Sequence, residues 1–358
     1  MIAADRPVQR PHTAKLLMVD NEGRFAHVPR DQFVNFLRPG DLVVANDAAT
    51  LPASLHGVHV PSGDAVEVRL AGWPATAPGD VRHFDVVVFG AGDYHTRTEH
   101  RTLPPTLSIG DHLSLGPLSA TVVGTLGHPR LVSLEFDGSV DEIWAGIARH
   151  GRPIQYAHIE EPLALWDVWT VVAGPPVAFE PPSAGFVLSW ATIERLHQRG
   201  VGFVTITLAA GISSTGDTEL DRRLPLAEPY RIPEATATAI AAAKLAGRRI
   251  VAIGTSVVRA LEHAGGRDGF VRAGDGVATN RLDRRSHLAV VNAILTGTHE
   301  PGTSHHDLLA AFVTPETLAR IDEELDAHEY LTHEFGDSLF VQRDGRRDTL
   351  NRVPDLDA

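Results

Sequence analysis

The 358-residue chain contains no cysteine. That absence excludes disulfides, cysteine-ligated zinc, iron–sulfur clusters and a cysteine nucleophile. It also suits a reducing compartment. No run approaches the ~18 apolar residues that cross a bilayer. The N-terminal MIAADRPVQRPHTAKLL lacks the apolar stretch of a signal peptide. We therefore expect a soluble, cytoplasmic protein with no membrane partner. Positive charge is short as well, since the formal net charge is −13. A net negative surface opposes nonspecific contact with nucleic acid. RLDRR at 281–285 is a candidate basic patch, although a solvated loop is the simpler reading. There is no Walker loop, no His-Glu-x-x-His and no Gly-x-Ser-x-Gly. FGAGDYH lacks the third glycine of a dinucleotide fingerprint and falls in a β-rich stretch.

What is present reads as an interrupted α/β chain. Its length suits about two domains. KLLMVD and DLVVAND read as strands, and RDQFVNFL has helical spacing with Asp31 as a plausible cap. From 58 to 137 short strands follow one another: AVEVRLAGW, HFDVVVFG, DHLSLG, LSATVVGTL and LVSLEF. Their spacing predicts a small antiparallel barrel or sandwich with no helix inside it. Beyond 140, strands and helices alternate, which implies a largely parallel sheet. Ser189 is a predicted N-cap with Gly200 as the stop. Pro233 falls in a predicted first turn, closed by Gly247. TSVVRALEHAG starts another helix, and Thr314 caps a further one with Pro315 behind it. The expected architecture is a mixed, largely parallel α/β domain (1–57 and 138–343). An antiparallel β-barrel (58–137) is inserted in it, and a charged tail from 344 is expected to be disordered.

In open α/β sheets, ligands bind beyond the carboxyl ends of the strands. Four loops qualify. Asn46 and Asp47 end the first buried strand, where ordinary turn chemistry also explains them. LAAGISSTGD (208–217) is built of small residues that let a ligand approach the backbone. IGTSVVRA (253–260) passes through Gly254, Thr255 and Ser256 into a helix, an arrangement suited to a carboxylate or phosphate. Arg259, one turn on, offers a charged fork or a structural arginine. TGTHEPGTSHHD (296–307) crowds three histidines, a glutamate and an aspartate into one loop. Its spacing fits no familiar metal-ligand pattern, and no metal is expected there.

These segments resemble the S-adenosylmethionine:tRNA ribosyltransferase-isomerase family of queuosine biosynthesis over residues 13–342. The resemblance runs through PGDLVVANDAATLPA, EPPSAGFVLSW, EPYRIPEATATAIAAAKLAGRRIVAIGTSVVRALE, ILTGTHEPGTS and FGDSLFV. It implies an α/β domain carrying a β-barrel. It also implies transfer and isomerisation of the ribosyl unit of S-adenosylmethionine onto a 7-aminomethyl-7-deazaguanine in tRNA, with S-adenosylmethionine as substrate and no metal. That chemistry needs a base for the proton beside the sulfonium and polar groups that hold a cationic substrate. Carried over position by position, the resemblance implies Asp47, Glu228 and His299 as catalytic groups. It implies Asn46, Tyr230, Gly254, Thr255, Ser256 and Arg259 as substrate-binding groups.

The departures fall in the same loops. Relative to the family, NDAA and Ala53-Ser54 lack two arginines, and Val187 and Ala209 stand where the family has histidines. RLPL, LDRRS and Gly297 also differ, while His305 and His306 have no counterpart. These losses and the acidic charge speak against tRNA as acceptor. Two alternatives therefore stand beside the family reaction: a paralogous enzyme using S-adenosylmethionine or a related nucleoside on a small molecule, and a catalytically silent binding protein.

Overall fold

A computed structural model of the chain describes residues 2–74 and 80–344. A nine-stranded mixed sheet forms the base. Across it run Gly274–Ala278, Glu228–Ile232, Gly202–Leu208, Leu42–Asn46, Ile250–Ile253, Ala293–Gly297, Ser338–Gln342, Lys15–Val19 and Phe25–Pro29. The four strands from Gly202–Leu208 to Ala293–Gly297 are mutually parallel, and antiparallel pairings close both margins. The central strands read as unbroken apolar runs because both of their faces are covered. Leu42, Val44, Ile250 and Ala252 pack on one face against helices Glu234–Leu245 and Thr255–Gly265. Val43, Ala45, Val251 and Ile253 pack on the other, with Phe33, Leu188 and Leu196.

Between the sheet strands Leu42–Asn46 and Gly202–Leu208, six antiparallel strands close into a barrel. They are Ser54–His59, Ala65–Gly72, His83–Phe89, His112–Leu115, Leu118–His128 and Leu131–Phe136. Alternate residues such as Val66, Val68, Leu70, Phe84, Val86 and Val88 fill its interior. The first barrel strand begins at Ser54, ahead of the expected boundary at 58. A three-residue 3-10 turn, Thr98–His100, lies within the segment expected to be free of helix. The expected tail lies outside the described residues apart from Asp344.

Capping accounts for most helix limits. Ser189 accepts from Thr192 N at 3.0 Å, Thr314 accepts from Thr317 N, and Gly200 (φ 68°) and Gly247 (φ 63°) stop their helices in the left-handed region. Three expectations are corrected. Residues Arg30–Phe36 form a 3-10 helix, and Asp31 lies in its first turn with Pro29 at the cap. Pro233 is the cap residue of Glu234–Leu245 rather than a first-turn residue. Helix Val140–His150, with a Ser139–Glu142 capping box, was not singled out from the sequence.

Candidate functional site

The carboxyl ends of three parallel strands converge on a cavity of about 200 Å³. Strand Gly202–Leu208 leads to Ala210 and Gly211. Strand Ile250–Ile253 leads to Gly254, Thr255 and Ser256. Strand Ala293–Gly297 leads to Thr298 and His299. Loops carrying Glu180 and Glu334 close the remaining walls.

Of the nine residues expected at the site, six line this cavity: Glu228, Gly254, Thr255, Ser256, Arg259 and His299. Three do not. Asn46 is buried and stitches two strands together, exchanging hydrogen bonds with both backbone groups of Leu208 at 2.9 Å. Asp47 accepts the hydroxyls of Thr205 (2.7 Å) and Thr207 (2.6 Å). Those two residues share one face of their strand, and Asp47 is drawn to that face instead of the cavity. Tyr230 hydrogen-bonds His263 Nδ1 at 3.0 Å. Asn46, Asp47 and Tyr230 thus lie off this cavity, and their hydrogen bonds brace the frame.

Two of the six are also engaged elsewhere. Arg259 is only 5% exposed. Its guanidinium pairs with the Glu228 carboxylate and donates to the carbonyls of Asn280 (3.1 Å) and Ala278 (3.2 Å). Glu228 also accepts the Gly211 N–H at 2.9 Å. The fork expected to meet a ligand is thus occupied, with Glu228 as its counter-ion.

The histidine loop divides in two. His306 turns away to Asp322 at 3.0 Å. His299 and His305 stack in the cavity with ring centroids 4.9 Å apart. His299 Nε2 lies 2.8 Å from Thr296 Oγ1, and His305 Nδ1 lies 2.8 Å from Thr255 Oγ1. Burial, aided by the neighbouring histidines, holds His299 well below the usual imidazole range. Burial, with the charge of Arg259 behind it, holds His305 at about 4. Both rings are neutral near pH 7 and able to accept a hydrogen bond or a proton.

Sequence reasoning missed Glu180. Its carboxylate is buried at the cavity wall, accepting the Tyr156 hydroxyl and the Ser213 N–H (3.1 Å). Burial pushes its pKa up to about 7, even though both hydrogen bonds favour the charged form. Tyr156 is held in turn by the barrel, where Arg69 lies over its ring at 5.5 Å. Arg69 and Arg101 clasp Glu67. Burial opposes the Glu67 charge, but the two arginines outweigh it and hold that carboxyl at about 2. The available signal was a glutamate ending the apolar run of PVAFEPP, where a carboxylate is costly unless it has work.

The shifted groups predict a pH dependence of stability. An unfolded imidazole takes its proton near the model value of 6.5, whereas folded His305 resists until about 4. The unfolded chain binds more protons in that window, so this term is lost as the pH falls from about 6.5 to 4. It amounts to about 3 kcal/mol at most. Glu180 has the opposite sign, because its folded pKa of about 7 exceeds the model value of 4.5. Urea midpoints between pH 7 and 5 should therefore fall more steeply for the wild type than for His305→Gln. Equal slopes would mean that His305 ionises freely in the folded chain.

Comparison with known proteins agrees with this architecture. The model of the family described as queuosine biosynthesis protein matches residues 1–341. A protein named S-adenosylmethionine:tRNA ribosyltransferase-isomerase from Sorangium cellulosum is 31% identical, over 95% of this chain and 95% of its own length. One of the same name from Thermus thermophilus is 30% identical, over 94% and 95%. The crystal structure of S-adenosylmethionine tRNA ribosyltransferase from Thermotoga maritima has a similar fold, with a TM-score of 0.50 and 21% identity, covering 95% of this chain and 96% of its own. Matched across nearly its whole length, this chain belongs to the queuosine biosynthesis protein family.

Proposed function

We propose that this chain catalyses the reaction for which its relatives are named, as an S-adenosylmethionine:tRNA ribosyltransferase-isomerase acting in the cytoplasm. The observation that carries the reading is the charge of the cavity. Glu180, Glu228, Glu300 and Glu334 line it, and its sole lysine or arginine among the described residues, Arg259, is already paired. Such a wall favours a cationic ligand, and a sulfonium nucleoside is one. The start of helix Thr255–Gly265 offers backbone N–H groups and two hydroxyls for a ligand carboxylate. Glu180 is the group best suited to take the proton beside the sulfonium, because a base with a pKa near the working pH combines availability with driving force. Neutral His299 and His305 can accept hydrogen bonds from ribose hydroxyls or relay a proton.

The acceptor is the part most open to test. In RLDRR the three arginines are exposed while Leu282 packs into the core; Arg281 donates to the Arg222 carbonyl, and the chain as a whole is acidic. Incubation with S-adenosylmethionine, with and without tRNA carrying the aminomethyl-deazaguanine, should release adenine only when tRNA is present. Release with a small amine in place of tRNA would identify the chain as a paralogous enzyme. Binding without release under any condition would make it a silent scaffold and defeat the proposal.

A further inference from the structure

Glu334, one of the carboxylates on the cavity wall, also stands in a cluster with two histidines. His158, His333 and Glu334 each present one donor atom, and these atoms all lie within 4.8 Å of one another. We propose that the three bind a divalent transition metal ion of the zinc class at the cavity wall, with a coordination position left open to the cavity.

The spacing of His158 and Glu334 fits a shared ion as well as a long hydrogen bond. His158 Nε2 and Glu334 Oε2 are 3.3 Å apart. A charge-assisted hydrogen bond is shorter, about 2.7–2.9 Å. Two ligands on a tetrahedral zinc with bonds of ~2.0–2.1 Å are separated by roughly 3.3 Å. The His158 and His333 rings stack with centroids 4.3 Å apart, and among the described residues no hydrogen bond reaches the His333 ring. Glu300 Oε1 lies 4.0 Å from His333 Nε2, close enough to complete the set or to orient that imidazole.

The supports are rigid. Gln155 Nε2 donates to the carbonyls of Ile159 and Glu161, both at 2.8 Å, which ties down the loop that carries His158. His333 has φ 69°, a conformation rare for a non-glycine residue, and its carbonyl accepts the Gly336 N–H at 3.0 Å. His333 and Glu334 line the cavity, and His158 lines a smaller neighbouring one that shares Glu334, so an ion held by the three would sit between them with room for a further ligand on the larger side. Two imidazoles and a carboxylate form a nitrogen- and oxygen-rich set suited to zinc, and three protein ligands are typical where one position stays open. A second trio, His27, Glu324 and His328, makes a useful control. It lies away from the cavity, and His27 already bonds Tyr330 (3.0 Å) and Glu324 (3.2 Å).

The test uses untagged, chelator-stripped full-length protein and needs neither S-adenosylmethionine nor tRNA, so its outcome is separable from that of the reaction assay. Zinc is titrated against a chromophoric chelator, and cobalt(II) is added in parallel to read the geometry. One equivalent of zinc should bind, and cobalt should give the intense visible absorption of a four-coordinate site. His158→Ala and His333→Ala should each weaken zinc binding at least ~100-fold, judging by the loss expected on removing one of three ligands. Glu334→Gln should weaken it too, while His27→Ala should change nothing. Circular dichroism confirms that each variant is folded, and Glu334→Gln, which keeps the side chain's size, locates the site if a histidine variant unfolds. Failure of the wild type to bind a stoichiometric ion, or binding that survives His158→Ala and vanishes with His27→Ala, would overturn the assignment.

Discussion

Arg259→Met will cost the fold about 3–5 kcal/mol, measured by urea denaturation near neutral pH. The arginine is buried with Glu228 as its counter-ion, and its other donors hold the carbonyls of Asn280 and Ala278. Removing the guanidinium leaves the Glu228 carboxylate inside the protein with only the Gly211 N–H, and burial already raises its pKa against the pull of Arg259. The cost is thus mainly that of an abandoned charge, and it should be recoverable. Adding Glu228→Gln to Arg259→Met should restore about half of the loss or more, because a neutral amide removes the charge and keeps an acceptor for Gly211. S-adenosylmethionine affinity of the folded fraction should change far less than stability does. A loss of under 1 kcal/mol, together with a tenfold or larger fall in affinity, would instead return Arg259 to the ligand-binding role its sequence position suggested.

That position was readable, and its role was not. Strands such as DLVVAN and RIVAI announce themselves because a parallel strand covered on both faces must be apolar at every position. Ser189 and Thr314 announce helix starts because a free amide needs an acceptor. The rule that ligands gather beyond strand carboxyl ends placed Thr255 and His299 on the wall of the cavity. It failed for Asp47 because it places a residue at a strand end without saying which way the side chain turns. Thr205 and Thr207 decide that, and the pairing that puts them beside Asp47 is a tertiary fact. Seven residues, Arg30–Phe36, make too short a pattern to separate a 3-10 helix from an α-helix, and so Asp31 was misplaced as a cap. Val187 and Ala209, at positions where the family has histidines, are buried among apolar neighbours in this chain. The replacement of histidine was visible in sequence, but the burial of these side chains in the core was not. Glu180, Tyr156 and His158 come from irregular segments, where periodicity offers no guide.

Glu180→Gln should lower kcat for adenine release about 10²–10⁴-fold, the range for loss of a positioned general base. Affinity for S-adenosylmethionine should hold within a few-fold, since the amide oxygen still accepts the Ser213 N–H and the amide N–H can donate to the Tyr156 hydroxyl oxygen, whose own proton then bonds the Ser214 carbonyl at 3.1 Å. The pH profile separates this role from a structural one. If the ionised carboxylate is the working form, wild-type kcat should rise with pH through an inflection near the folded pKa of about 7, and the variant should lack that inflection. Tyr156→Phe sharpens the test. The Tyr156 hydroxyl stabilises the charged carboxylate, so its removal should move the inflection to higher pH and leave activity well above the inflection largely intact. A variant that loses activity while keeping the wild-type inflection would assign the titrating base to another group.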